Sequence, residues 1–202
     1  MRFDLESGRK VLILTESVAS AFVVPDDLDI SSSGGDDAII ILDSVRVGGR
    51  TDMETQAGDD AILIHDCAFS DRTCIATGNG NDVVFDGWAS GFSICDDDLD
   101  IVMGGGDDDT ICIGTVVMDR CTIRMGGDDD ATGIEDCTFD QARIYGNGGS
   151  DVYSARNNIL PSLLLRQYEV ENASVQARVN QAGLHPTFEE AADFFESLDL
   201  DD

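Results

Sequence analysis

Gly78-Asn79-Gly80-Asn81-Asp82, followed by Val83-Val84-Phe85, is a device that the middle of the chain repeats. It occurs as Gly34-Gly35-Asp36-Asp37 and Ala57-Gly58-Asp59-Asp60 before this copy. After it come Gly104-Gly105-Gly106-Asp107-Asp108-Asp109, Gly126-Gly127-Asp128-Asp129-Asp130 and Gly146-Asn147-Gly148-Gly149-Ser150-Asp151. Each copy contains Gly-x-Asp, and the aspartates Asp37, Asp60, Asp82, Asp108, Asp129 and Asp151 follow at intervals of 23, 22, 26, 21 and 22 residues. A fixed period of this size marks a stacked repeat architecture.

The residues around each turn fit that reading. An apolar side chain stands seven before the aspartate (Ile30, Met53, Ile75, Ile101, Ile144) and another two after it (Ile39, Ile62, Val84, Tyr153). Each flanking strand is too short to bury its apolar face alone, so coils of about 22 residues must stack at the inter-strand spacing of about 4.8 Å. Glycine supplies the positive φ that a repeated sharp bend needs. The expected fold is all-β: a right-handed parallel β-helix of about seven coils, with a small C-terminal helical cap.

The expected division is 1–27 for N-terminal strands, 28–170 for the repeats and 171–202 for a helical segment. Thr187 and Glu190 form a capping box there, and Phe188, Ala191, Phe195 and Leu198 mark one helical face. Its alternative use is self-association through Phe188, Phe194 and Phe195.

The chain has 202 residues, 42% of them hydrophobic, enough for a packed core. Twelve basic residues against 41 acidic ones give a net charge of −29. Such a surface repels nucleic acid and anionic lipid, and no apolar run is long enough for membrane insertion. Cations are the natural partners; solubility at high salt is the plainer explanation of the charge. No N-terminal signal peptide is legible. The six cysteines form no CxxC and read as small buried hydrophobes.

Stacking aligns the acidic turns. The Asp triplets leave the register open in two copies, and the apolar positions favour the later aspartate. One row is then Asp37, Asp60, Asp82, Asp109, Asp130 and Asp151; a second is Asp36, Asp59, Asn81, Asp108, Asp129 and Ser150. Carboxylates one strand apart repel, and hard oxygen ligands at a glycine turn suit Ca²⁺. His65 and His185 are isolated, so nothing suits a softer metal.

At these residues the chain resembles the haemolysin-type RTX repeats, whose pattern is G-G-x-G-x-D-x-U-x. Gly78 to Val84 matches from the second glycine onward. RTX repeats recur every nine residues, whereas this motif occurs once per coil, which brings it closer to Gly-Asp-rich bacterial β-helical repeat proteins. The resemblance implies Ca²⁺ binding and an extracellular or cell-surface location, with a cytoplasmic one as the alternative.

The first functional expectation is therefore a non-catalytic acidic structural or surface module. A second is a polysaccharide-active enzyme or carbohydrate-binding module. Asp66, Asp86, Asp136, Arg72, Arg120 and Arg124 are its candidate acid–base residues and Trp88 its candidate sugar platform. Cell-surface polysaccharide is the partner that reading implies. A third is a self-assembling cytoplasmic scaffold.

Overall fold

The structure is a computed structural model that describes residues 1–5, 10–15, 22–35, 38–87 and 93–166. In chain order the first strands are β1 (Arg2–Leu5), β2 (Lys10–Thr15), β3 (Phe22–Val24), β4 (Leu28–Ser32), β5 (Ala38–Asp43), β6 (Val45–Val47) and β7 (Thr51–Glu54). There follow β8 (Ala61–His65), β9 (Ala68–Phe69), β10 (Thr73–Asn79), β11 (Val83–Gly87), β12 (Ile94–Cys95) and β13 (Leu99–Gly105). The last are β14 (Asp109–Ile113), β15 (Val116–Gly126), β16 (Ala131–Glu135), β17 (Thr138–Asn147), β18 (Val152–Arg156) and β19 (Ser162–Arg166).

Every pairing between these strands is parallel, and each strand pairs with its counterpart one coil away. The result is a parallel β-solenoid. One sheet has seven strands, β2-β5-β8-β11-β14-β16-β18. The other has twelve and forms two legs of each coil. These legs join where β15 and β17 run through both, with a bulge between Val117 and Arg120.

The lumen is filled by stacked side chains. Ile30, Met53, Ile75, Ile101, Ile123 and Ile144 stand level on neighbouring strands, each at most 1% exposed. Val24, Val47, Phe69, Cys95, Val117 and Phe139 form a second stack on the shorter leg. Full burial of one such side chain contributes about 1.5–3 kcal/mol, so these stacks dominate the stability of the fold. Outside the lumen, Phe85 and Ile111 pack with Leu63 and Ile113 into a small external cluster.

Two registers differ from the sequence reading. In the fourth copy Val84 pairs with Thr110, and Thr110 with Thr132, so core positions are held by threonines that are 0% and 1% exposed. Threonine has the shape of valine, so apolarity alone misleads: counting from the later aspartate, Asp109, points to Ile111, which instead faces outward beside Phe85. In the first copy Ile40, not Ile39, lies beside Ile62.

All six cysteines are free thiols, and five are buried. The expected C-terminal cap at 171–202 lies outside the described residues. The expected self-association surface is corrected. Phe188, Phe194 and Phe195 also lie outside the described residues. Among the described residues the exposed large apolar side chains include no phenylalanine, and Phe69, Phe85 and Phe139 are buried. No aromatic cluster stands at the described surface for a polysaccharide or a second copy. No helix among the described residues is long and apolar enough to cross a membrane.

Candidate functional site

Each acidic turn begins with a residue in the left-handed region. Gly58, Gly80, Gly106 and Gly149 have φ of 125°, 130°, 130° and 111°. The fifth turn places Asp128 there, at φ 81°. A Cβ on Gly80 would lie 2.1 Å from the carbonyl oxygen of Gly58 in the coil before. The glycine therefore serves both the bend and the close approach of successive coils.

Two residues after that position comes the inner row: Asp60, Asp82, Asp108, Asp130 and Asp151. The backbone N–H of Asp60 donates to Asp82 Oδ1 (2.9 Å), Asp82 to Asp108 (2.9 Å), Asp108 to Asp130 (3.0 Å) and Asp130 to Asp151 (3.2 Å). Each carboxylate reaches back one coil and caps an amide at the turn. The first four of these residues are at most 2% exposed.

The outer row runs the other way. Asn81 N–H donates to Asp59 Oδ1 (2.8 Å), Asp107 to Asn81 (3.0 Å), Asp129 to Asp107 (3.1 Å) and Ser150 to Asp129 (2.7 Å). Here each side chain reaches forward to the next coil.

The expected rows are thus corrected at one copy. Asp108 belongs to the inner row and Asp107 to the outer, while Asp109 opens β14 and pairs with Val83 and Ala131. Asp59, Asp60, Asn81, Asp82, Asp129, Asp130 and Asp151 stand where they were expected. Asp36 and Asp37 lie outside the described residues.

Burial gives three residues of the inner row unusual titration. It pushes Asp82 up, and it pushes Asp108 up to about 6 and Asp130 up to about 7, repulsion from row neighbours adding to both. Asp130 Oδ2 is buried with no hydrogen-bond partner. A carboxyl so placed favours its neutral form.

A different trio is compact enough to hold an ion. One carboxylate oxygen from each of Asp97, Asp98 and Asp119 lies within 4.8 Å of the others. Asp98 is also paired with the Arg120 guanidinium, and its Oδ1 accepts the Arg120 backbone N–H at 3.2 Å. These residues were missed because they lie outside the Gly-x-Asp motif. The signal was present: Asp97 and Asp119 are 22 residues apart, one coil.

The candidate catalytic residues are dispersed. Asp66 and Asp136 are exposed corner residues at φ 48° and 53°, and two coils, those of β11 and β14, lie between them. Arg72 pairs with Asp100, 2.6 Å, and Arg120 with Asp98. His65 sits on β8 with Nδ1 2.8 Å from Asp43 Oδ1. Trp88 and His185 lie outside the described residues.

Asp86 is the surprise. It stands in the lumen, level with Ile64 and Cys112, and is 2% exposed. Thr115 Oγ1 donates to its Oδ2 at 3.0 Å. Burial pushes it up to about 6, held lower than burial alone would set by the Ser93 and Thr115 hydroxyls. The nearby thiols of Cys67 and Cys137 donate to backbone carbonyls, Leu42 and Cys112 among them, and burial pushes both up to about 12. They are inert packing groups.

Comparison of the chain with protein-family models, with curated proteins and with solved structures finds no match. The fold and the site therefore define its class: an acidic parallel β-solenoid.

Proposed function

We propose that this chain is a non-catalytic structural module, an acidic β-solenoid that takes up divalent cations. The observation that carries the reading is the convergence of Asp97, Asp98 and Asp119. Three hard oxygen donors from two adjacent coils suit Ca²⁺, whose flexible coordination accepts further carbonyl and water ligands. Binding there would tie the coils together and offset their repulsion.

The acidic turns take a looser part. One oxygen of each inner carboxylate is committed to a backbone amide, so the Gly-x-Asp edge departs from RTX-type calcium binding. Its outer residues, Asp59, Asp107 and Asp129, are exposed and gather counter-ions. An extracellular or cell-surface setting belongs to the same proposal, since modules there bind Ca²⁺ at about 10⁻⁴–10⁻³ M.

The test is thermal unfolding in EDTA and in millimolar Ca²⁺ at matched ionic strength. A ligand at tenfold excess over its dissociation constant adds about 1.4 kcal/mol, which raises the midpoint by roughly 3–6 °C in a chain of this size. Asp119→Asn should remove most of that rise. Equal midpoints with and without Ca²⁺ would refute the reading and leave the charge as adaptation to salt.

A further inference from the structure

The outer face of the longer leg is divided by charge along the solenoid axis. Outward positions run Asp29, Asp52, Cys74, Asp100, Thr122 and Arg143 in one file. They run Ser31, Glu54, Ala76, Val102, Arg124 and Tyr145 in the other. Apart from Arg2, level with Asp29 on β1, the charged positions of its N-terminal half are acidic. Beyond Asp100 its charged positions are arginines only.

Two of these arginines are uncommitted. The ion pairs of arginine among the described residues are Arg50–Asp52, Arg72–Asp100, Arg120–Asp98 and Arg156–Glu135. Arg124 and Arg143 are in none of them. Arg124 is exposed and lies over the Tyr145 ring, 5.8 Å from its centroid. That contact orients the guanidinium and leaves its charge free. In a chain with 12 basic residues against 41 acidic ones, two adjacent arginines without a carboxylate are a vacancy for an anion.

The chain carries a matching anion close by. Between Thr187 and Asp202 seven side chains are acidic and none is basic. This segment follows β19, which pairs with β17 at the edge of that face. The twenty residues between Arg166 and Thr187 can span up to about 66–72 Å, so reach sets no obstacle. Tethering also replaces a bimolecular encounter with an effective concentration in the millimolar range. We propose that the arginine face of β15 and β17 is the docking site for the chain's own acidic segment, residues 187–202. Docking there offsets part of the charge of the acidic segment.

The test is digestion of the full-length chain by a Glu-specific protease, following cleavage at Glu189, Glu190 and Glu196. Docking predicts slow cleavage in the wild type. Arg124→Glu/Arg143→Glu should speed it roughly tenfold, equivalent to about 1.4 kcal/mol, and 0.5 M NaCl should do the same, as exposed ion pairs are screened at that salt. Adding Asp199→Lys/Asp201→Lys to the reversed face should restore protection. Equal rates in wild type, variant and salt would overturn the proposal. If charge reversal disturbs folding, Arg124→Gln/Arg143→Gln gives the same reading with the uncharged side chain.

Discussion

The two rows at the acidic turns are built mainly from aspartate, with Asn81 and Ser150 the exceptions in the outer row, one position apart at the same coil period. The inner row points back toward the N-terminus and is buried; the outer row points forward and meets solvent. Both satisfy turn amides that the strand ladders leave over. The difference is in the charge. An outer carboxylate keeps one oxygen in water, whereas an inner one is enclosed between coils, and burial favours its neutral form. One residue of displacement therefore separates a solvated edge from a stack of acids that resist ionisation.

Breaking both rows together should have the largest effect. Gly80→Ala demands φ near 130° of an alanine and brings its Cβ against the Gly58 carbonyl. Chemical denaturation should show a loss of about 3–4 kcal/mol.

The second experiment separates the rows. Asp108→Ala leaves the Asp82 amide buried without its acceptor and should cost about 1–3 kcal/mol. Asp107→Ala exposes the corresponding amide of Asp129 to water and should cost about 0.5 kcal/mol. Denaturation at pH 5 is the appropriate comparison, because the inner carboxyl is then largely neutral and repulsion does not enter. Equal costs at that pH would mean that the rows differ in position but not in role.

The third, and gentlest, uses protons. Asp86, Asp108 and Asp130 are raised to about 6, 6 and 7, above the ordinary value of 3.8. In the window between about pH 4 and 7 the folded state binds more protons than the unfolded one. Stability should therefore be fully present at the acidic end and fall as pH rises through 6–7. The unfolding midpoint should be several degrees higher at pH 5 than at pH 8. Asp108→Asn keeps the acceptor and removes the charge, so it should flatten this slope and stabilise the fold at pH 8. An Asp107→Asn variant that flattens it as much would contradict the assignment of the effect to the buried row.

Much of the architecture was legible in advance. The ladder from Ile30 to Ile144 and the Gly-x-Asp period depend on residues whose stacking preference is the same in every coil, so repetition alone reveals them. The fourth turn was not legible, because Asp107, Asp108 and Asp109 are chemically identical and Thr110 mimics an apolar residue. Its register is decided by the summed pairing of all of β14 with β11 and β16. Asp97, Asp98 and Asp119 were obscured for a related reason: their grouping exists only across two coils.

The sequence by itself determined that this chain coils, about how long each coil is, and which side chains form the ladder from Ile30 to Ile144. Those properties are local and recur, so each coil states them again. Only the tertiary structure decided which aspartates are buried, that Asp86 lies in the lumen, and that Arg124 and Arg143 are neighbours on one face without an ion-pair partner. A charge takes its energy from what lies above, below and beside it, and in a solenoid those neighbours are a full coil away along the chain.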